Sequence, residues 1–385
     1  MKKNLIIVGS RGYQFKYGGW ETFVTNFVDY SNDEFNLYIP YLIQDKKNYK
    51  GDYLNNGVNV HDIYIGKLGF ATMFQFTIKS IRYYLKLIKK GKIKDATIII
   101  LGCKVGPLMR FWYPKFKKYN TKVIINPDGL EWKREKWAGW IKKCFKISER
   151  DHVRYSDHVV CDSKSIKKYI DTEYKEYGRS SSFIAYGADK KLVSEKTDKL
   201  VELMDKYKFS ENKYYLVVGR FVPENNYETV IREFMKSKVK KDLVIVTNLD
   251  SNMKFYDELK EKLHFENDER VKFIGSLYDQ KALKYLRENA YAYIHGHSAG
   301  GTNPSLLEAL NTTKINILFN VSYNTEVGGE ACFYFTKKEG SLKKEIEKCD
   351  NLTSKEIKIR EKLEKDIINK KYTWEKVVND YKKVI

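Results

Sequence analysis

The sequence has few cysteines, and none of them belongs to a recognisable metal or disulfide pattern. The five cysteines are an odd number and include no Cys-x-x-Cys pair, so neither a disulfide framework nor a zinc site is indicated. No apolar run approaches the roughly 18 residues of a membrane-spanning helix, and the basic start leads into a short strand instead of a signal peptide. No Asp-x-Asp triplet occurs, so we expect no metal that bridges phosphate groups and no cofactor. These absences favour a protein of the reducing cytoplasm, either soluble or peripheral to a membrane.

Acidic residues are scarce in one part of the chain. The whole sequence holds 71 Lys or Arg against 50 Asp or Glu, which gives a net charge of +21. Residues 66–150 hold 21 of these basic residues but only five acidic ones, and aromatic residues are interleaved with them. Each Lys or Arg near an anionic bilayer contributes about 1 kcal/mol of attraction. The composition therefore predicts that 66–150 is a docking surface for an anionic membrane, with RNA as the alternative partner.

The rest of the sequence has the composition and periodicity of a folded α/β protein. At 385 residues, 42% hydrophobic and 15% aromatic, it is long enough for about two domains. Short β-favouring runs alternate with helical stretches, and the alternation restarts near residue 214 after a polar, charged connector. We therefore predict two Rossmann-like domains, 1–188 and 189–370, that face each other across a cleft. The last helix, 371–385, is expected to cross back and pack on the amino-terminal domain.

A glycine turn between a predicted strand and a predicted helix is the most informative stretch. It reads His297-Ser-Ala-Gly-Gly-Thr-Asn-Pro-Ser-Leu-Leu-Glu308. Gly300 and Gly301 permit a tight turn, Thr302 or Asn303 can cap the helix, and the proline suits its first position. Exposed amides and the positive end of a helix dipole favour a phosphate group there. Glu308 lies about one turn further on, where it can accept hydrogen bonds from sugar hydroxyls; an ordinary turn with a surface glutamate is the alternative.

The start of the second predicted domain offers a guanidinium to the same site. A predicted strand ends at Val217-Val-Gly-Arg220. Arg220 can grip a pyrophosphate with its planar set of donors, and a surface salt bridge is the alternative for a lone arginine. His297 is an additional candidate for a phosphate or acceptor contact. His295 and His297 alternate as metal ligands can, but no third ligand is evident, so no metal site is predicted.

The amino-terminal domain carries two further candidate segments. Gly18 and Gly19 lie in the loop after the first strand, where they permit close approach of the backbone to a ligand. Glu21 is either a contact to that ligand or a helix-start residue that complements the dipole. Asp128 and Glu131 follow a strand and form a carboxylate pair that can orient or polarise an acceptor hydroxyl, with a solvated turn as the alternative.

Four motifs resemble those of sugar-transferring enzymes. Gly-Arg-Phe-x-Pro-Glu-Asn-Asn from residue 219 and Gly-Gly-Thr-Asn-Pro-Ser-Leu-Leu-Glu-Ala from residue 300 resemble the donor half of family 4 glycosyltransferases with the GT-B fold. Two others narrow the resemblance to the bacterial rhamnosyltransferase branch that builds capsule and cell-wall polysaccharides: Val-Gly-Ser-Arg-Gly-x(5)-Gly-Gly-Trp-Glu-Thr-Phe-Val from residue 8 and Pro-Asp-Gly-Leu-Glu-Trp-Lys-Arg from residue 127. The resemblance covers nearly the whole chain in the right order.

The resemblance implies a retaining transferase that moves L-rhamnose from dTDP-L-rhamnose to a lipid-diphosphate-linked saccharide at the inner face of the cell membrane. Glu308 would anchor the ribose, while Arg220 and the amides of 301–303 would hold the diphosphate. The predicted donor-binding residues are Gly18, Gly19, Arg220, Asn225, Gly300, Gly301, Thr302, Asn303 and Glu308. The predicted catalytic residues are Asp128, Glu131 and Arg220.

Two positions depart from the wider family. Gly300 stands where the first glutamate of a Glu-x7-Glu pair is usual. Asn225 replaces a usual lysine, which removes one charge that would neutralise phosphate. Arg11, Lys133 or Arg134 of the amino-terminal domain are candidates to supply that charge when the domains close, with Glu21 and His297 as further possible contacts.

Three alternatives to rhamnose transfer remain open at this point. One is transfer of a different hexose from a UDP-sugar. A basic nucleic-acid-binding protein is another, but it would need no glycine turn in a cleft, and its affinity would fall steeply with salt. A nucleotide-sugar epimerase would need a Gly-x-Gly-x-x-Gly loop, whose spacing Gly9-Ser-Arg-Gly12 lacks. We therefore predict a metal-independent hexosyltransferase without a nucleic-acid partner.

Overall fold

Two compact units make up the chain, Met1–Tyr186 with Trp374–Ile385 (unit 1) and Gly187–Thr373 (unit 2). A computed structural model describes residues 2–14, 18–69, 71–127, 129–133, 137–188 and 192–385. Each unit is built on a parallel or mainly parallel sheet with α-helices between most successive strands. The predicted α/β class with two Rossmann-like sheets is confirmed.

Unit 1 contains an eight-stranded sheet among its described residues. Its strands are β1 (Lys3–Val8), β2 (Phe35–Ile43), β3 (Asp52–Asn55), β4 (Val58–Tyr64), β5 (Ala96–Leu101), β6 (Lys122–Asn126), β7 (His158–Cys161) and β8 (Ser180–Phe183). Its first five helices are α1 (Gly19–Ser31), α2 (Ala71–Lys89), α3 (Gly106–Lys118), α4 (Gly139–Arg154) and α5 (Lys164–Glu173). The strand order is β3-β4-β2-β1-β5-β6-β7-β8, and β3 is antiparallel to β4 whereas the other pairs are parallel. The central strands are continuous apolar runs because both faces of the sheet are covered.

Unit 2 contains a six-stranded, all-parallel sheet of order β11-β10-β9-β12-β13-β14. Its strands are β9 (Tyr214–Val218), β10 (Asp242–Val246), β11 (Val271–Gly275), β12 (Ala292–His295), β13 (Asn316–Phe319) and β14 (Phe333–Phe335). Its helices are α6 (Asp198–Tyr207), α7 (Tyr227–Met235), α8 (Met253–Leu263), α9 (Gln280–Glu288), α10 (Pro304–Thr312), α11 (Ser322–Gly328), α12 (Ser341–Asp350) and α13 (Ser354–Lys371). Neighbours β9 and β12 end side by side, so the turns that follow them meet at one edge of the sheet.

The last helix, α14 (Trp374–Val384), belongs to unit 1 and packs on α1. The rings of Trp374 and Tyr381 contact Phe23 at centroid distances of 5.9 and 5.8 Å, and Tyr381 also contacts Phe27 at 5.1 Å. These aromatic contacts bury one face of α14, which explains why its apolar residues recur at helical spacing.

The segment predicted as a polar, charged connector before residue 214 contains a helix. Residues 198–207 form α6, whose buried side chains Leu200 and Met204 join the core of unit 2. The apolar side chains Leu200, Leu203, Met204 and Tyr207 recur at helical spacing and face the core, although most of the positions between them are charged.

Candidate functional site

The turn after β9 places Arg220 at the edge of the unit 2 sheet. The carbonyl of Arg220 accepts hydrogen bonds from the Val222 amide at 2.9 Å and from the Asn225 side-chain amide at 2.8 Å. The Tyr227 hydroxyl donates to the Gly219 carbonyl at 3.0 Å. The Arg220 side chain is exposed, and among the described residues it makes no ion pair or hydrogen bond. The turn therefore presents a guanidinium whose charge is available to an anionic ligand, while Asn225 holds the turn in shape.

The glycine turn, residues 296–303, lies directly against the Arg220 turn. Gly296 has no room for a side chain, since a Cβ there would lie 2.1 Å from the Asn225 carbonyl oxygen. Ser298 donates its amide at 2.9 Å and its hydroxyl at 2.7 Å to the Glu224 carbonyl. The guanidinium and the glycine turn therefore border the same region of unit 2, as their assignment to one phosphate site requires.

The glycine turn leads into helix α10. Among the described residues, the backbone amides that make no hydrogen bond lie in the turn and not at the start of the helix. Asn303 caps the helix through its side-chain oxygen, which accepts from the Ser305 amide at 2.9 Å, and its carbonyl accepts from the next two amides at 3.0 and 3.1 Å. In contrast, the amides of Gly300, Gly301 and Asn303 make no hydrogen bond within the described parts of the chain. Gly300 has φ +131°, a conformation that favours glycine. Thr302 is buried beside them.

Two histidines are stacked under the glycine turn. The rings of His295 and His297 lie 4.2 Å apart and nearly parallel at 10°. A Cβ on Gly219 would lie 3.0 Å from the His297 ring, so glycine at 219 makes room for this imidazole. Burial and the Arg220 charge lower the pKa of His297 to about 3, and burial holds the pKa of His295 well below its usual value. Both imidazoles are therefore neutral at pH 7, and no group of three or more His, Cys, Asp or Glu side chains in the described residues could hold a metal ion.

The carboxylate of Glu308 is paired with a buried arginine that the sequence analysis did not single out. Arg287, in the last turn of α9, places Nη2 at 2.7 Å from Glu308 Oε2 and 3.3 Å from Ser305 Oγ. Arg287 is only 4% exposed. The signal in the sequence was its spacing, because Arg287 follows Leu283 and Leu286 at the intervals of the buried stripe. Glu308 therefore lies in α10, the helix that follows the glycine turn, with one of its two carboxylate oxygens paired with Arg287.

In unit 1 the loop after β1 is held together by Glu21. Its Oε1 accepts the Arg11 amide at 2.9 Å, and the Arg11 guanidinium lies 3.8 Å from the same oxygen. Gly18, at the N-cap of α1, has φ +134°, and a Cβ there would lie 1.8 Å from Glu21 Oε2. Gly19 has open space around it. The buried carboxylate of Glu21 therefore holds the loop in place through its contacts to Arg11, and the glycine at 18 leaves space for this carboxylate.

The second predicted segment of unit 1 is tied to helix α4. Glu131 Oε1 accepts a hydrogen bond from the Trp137 indole at 2.9 Å, and the Trp132 indole donates to Glu149 Oε2 at 3.2 Å. Lys133 is exposed. Asp128 and Arg134 lie outside the described residues.

Glu149 is a carboxylate that contacts this segment and that the sequence analysis did not single out. It is buried, and its Oε1 also accepts hydrogen bonds from the hydroxyls of Tyr169 and Tyr174, each at 2.6 Å. Burial and the bond to Glu149 raise the pKa of both tyrosines. Because Glu149 accepts hydrogen bonds from Trp132 and from two tyrosines in and just after α5, it ties the segment that carries Glu131 to that helix.

Two family models match this chain, one in each half. Residues 202–371 match the family model described as Glycosyl transferases group 1, and residues 2–189 match a model described as a domain of unknown function, DUF1972. No curated protein sequence matches the chain.

Several solved structures share the fold along the whole chain. Sucrose-phosphate synthase from Thermosynechococcus elongatus has 13% identity and a TM-score of 0.79, covering 100% of this chain and 98% of its own. The Anabaena protein HepE in complex with UDP has 12% identity and a TM-score of 0.68, with coverages of 100% and 99%. An alpha,alpha-trehalose-phosphate synthase (UDP-forming) from Burkholderia vietnamiensis has 8% identity and a TM-score of 0.73, covering 100% of both chains. At these identities the likeness establishes the fold alone.

The match over residues 202–371, together with the shared fold, supports a glycosyltransferase of the GT-B type. Arg220, the glycine turn and Glu308 all lie within the residues that match the Glycosyl transferases group 1 model.

Proposed function

We propose that this chain is a retaining, metal-independent glycosyltransferase that transfers L-rhamnose from dTDP-L-rhamnose to a lipid-diphosphate-linked saccharide in capsule or cell-wall polysaccharide synthesis. The observation that carries the proposal is the Arg220 guanidinium, which has no partner among the described residues and adjoins a turn with unused amides. Donors fixed in this way suit a diphosphate leaving group, because they stabilise its charge without rearranging during the reaction.

In the proposed reaction the bond between the sugar anomeric carbon and the donor phosphate oxygen breaks. The bond from that carbon to the acceptor oxygen forms on the same face of the sugar, which retains the anomeric configuration. The acceptor proton passes to the departing phosphate oxygen, so no side-chain base is required. Arg220 and the amides of Gly300, Gly301 and Asn303 stabilise the nucleoside diphosphate as it leaves, and Glu308 contacts the pentose of the nucleotide.

The test of this function is a panel of nucleotide sugars. A ligand that binds only the folded state raises the melting temperature, by an amount equivalent to about 2.7 kcal/mol at 100 times its Kd. We expect dTDP-L-rhamnose to raise Tm more than the UDP- and GDP-sugars do, and the product made with a lipid-diphosphate saccharide to keep the donor's anomeric configuration by NMR. An inverted product would contradict the retaining mechanism.

Transfer of another hexose from a UDP-sugar is the second candidate, and the structural relatives favour it. HepE was solved with UDP, and the Burkholderia synthase is UDP-forming. The same panel separates the two candidates, since a larger Tm rise with UDP-glucose than with any dTDP-sugar would select this one.

The acceptor side of the proposal includes docking on an anionic membrane through 66–150. Exposed Trp140, Lys143, Ile147 and Arg150 recur at intervals of three or four residues, so they share one face of α4. Trp140 is 70% exposed and Ile147 45%. No helix among the described residues is long and apolar enough to cross a membrane. An exposed helix face that mixes an indole, an aliphatic side chain and cations suits the headgroup region of an anionic bilayer.

Docking is measured by co-sedimentation with vesicles. We expect binding to vesicles with about 30% phosphatidylglycerol but not to pure phosphatidylcholine, and weaker binding at high salt. Trp140→Ala should weaken binding, whereas Leu54→Ala should not, because Leu54 is equally exposed at 69% but lies on the edge strand β3. Cys144 is an exposed thiol on the same α4 face, so a fluorophore attached there should shift to the blue on docking. Equal binding to both kinds of vesicle, or tighter binding to RNA, would contradict membrane docking.

A further inference from the structure

The pair formed by Arg287 and Glu308 is asymmetric in its exposure. The side chain of Arg287 is 4% exposed and that of Glu308 is 26% exposed. A buried guanidinium needs a charged partner, because an unpaired ion inside a protein is strongly unfavourable. Glu308 Oε2 supplies that partner at 2.7 Å, so this oxygen is drawn towards the interior of unit 2.

The other oxygen of Glu308 has a different environment. Among the residues that the structure describes, Oε1 accepts no hydrogen bond, and it is not one of the buried polar atoms. Glu308 thus presents one oxygen outward and holds the other inward.

A hydrogen-bonded chain fixes this orientation relative to the Arg220 turn. Ser305, on the same face of α10 as Glu308, shares its hydroxyl between Arg287 and the Tyr293 hydroxyl at 3.0 Å. The Tyr293 hydroxyl also lies 3.2 Å from the Val218 carbonyl, which is next to Gly219 and Arg220 in sequence. Arg287 therefore positions both Glu308 and, through two hydroxyls, the end of β9.

The number of free carboxylate oxygens bears on which nucleotide sugar fits. A carboxylate with two free oxygens can accept from both hydroxyls of a ribose, one on each oxygen. A 2′-deoxyribose offers a single ring hydroxyl and needs a single acceptor. We propose that Arg287 is a specificity-determining residue that removes a preference for ribose and so lets the site accept a 2′-deoxynucleoside diphosphate sugar equally well, because it occupies Oε2 of Glu308 and leaves only Oε1 for the pentose. This inference rests on the proposed function, in which Glu308 contacts the nucleotide.

The test compares UDP with dUDP, which differ only in the 2′-hydroxyl. By isothermal titration calorimetry the wild-type protein should bind the two with Kd values within about twofold of each other, since the hydroxyl finds no second acceptor oxygen. A wild-type preference for UDP of tenfold or more would overturn the inference while leaving the proposed function in place. If neither of these nucleotides nor dTDP binds, the proposed function itself fails.

Substitutions at Arg287 test whether this residue sets the ratio. Arg287→Met releases Oε2, so UDP should gain about tenfold over dUDP, the effect of one hydrogen bond to a charged acceptor. Arg287→Lys keeps a cation on Oε2 and should retain the wild-type ratio. Arg270→Met is the control, because Arg270 is also paired, with Asp268 at 2.7 Å, but at the start of β11. An unchanged ratio of the UDP and dUDP affinities in a folded Arg287→Met variant would overturn the inference. If that variant does not fold, the ratios measured for the wild type and for Arg287→Lys still decide it.

Discussion

Replacing Glu308 by alanine should destabilise unit 2 even without a ligand. The substitution removes the carboxylate at 2.7 Å from Arg287, and among the described residues the buried guanidinium then keeps only Ser305 Oγ, at 3.3 Å. Removing one partner of a buried pair costs about 3–5 kcal/mol. Because Glu308 is 26% exposed, water can reach its side of the pair, and we expect the lower value, about 3 kcal/mol. In a unit of about 190 residues this corresponds to a fall in Tm of about 6–12 °C.

Differential scanning calorimetry of the ligand-free protein measures this effect. Glu308→Gln should lose less stability, because its amide oxygen can still accept from Arg287. The double variant Arg287→Leu with Glu308→Leu should recover most of the loss, since replacing both partners of a buried ion pair by apolar side chains is often neutral or better. A Tm for Glu308→Ala within about 2 °C of wild type would refute the reasoning. If the prediction holds, Glu308→Gln and not Glu308→Ala is the variant for testing nucleotide contacts.

Three further predictions concern Glu364, Gly18 and His297. Burial raises the pKa of the Glu364 carboxyl, so the stability that this group contributes is complete below its ordinary pKa of 4.5 and is lost as pH rises through its pKa in the folded protein. Glu364→Gln should therefore raise Tm at about pH 8 but not at about pH 4. Equal Tm shifts at the two pH values would contradict this. Gly18→Ala should lower Tm by strain and by displacing the Glu21 carboxylate, whereas Gly19→Ala should have little effect because its surroundings are open, and similar losses in both would contradict this. His297, whose pKa is lowered to about 3, should not titrate above pH 5 by NMR, and a midpoint near 6.5 would show that its ring is not buried as described.

Much of the fold was predictable because its strands are continuous apolar runs. The alternation of strands and helices that was predicted to restart near residue 214 is present in unit 2 from β9 onward. The helix at residues 198–207 was missed although its apolar residues recur at helical spacing, because the charged residues between them dominate the composition of the segment. The edge strand β3 was missed because it has no buried residue and is defined by its pairing with β4. Elements that bury little apolar surface leave little periodicity in a sequence.

The turn and the helix cap of the candidate site were predictable from the sequence, but the contacts among its side chains were not. Gly300, Gly301 and Asn303 could be placed in a turn and cap from local chemistry alone. That Arg287 would occupy one oxygen of Glu308 depends on the packing of α9 against α10, which no local pattern specifies. Similarly, the Arg11 loop and α1 meet at Glu21 through a hydrogen bond ten residues apart in sequence, which composition and spacing do not determine.

The central claim is that Arg220 and the glycine turn hold a nucleoside diphosphate. Calorimetric titration with dTDP tests it most directly, using the wild type, Arg220→Gln, and Lys254→Gln as a control that removes an equal charge from the exposed surface of α8. We predict one dTDP per chain, a loss of about tenfold or more in affinity for Arg220→Gln, as expected for charge-assisted hydrogen bonds, and no change for the control. Equal affinities for wild type and Arg220→Gln, or no binding of dTDP by the wild type, would contradict the account.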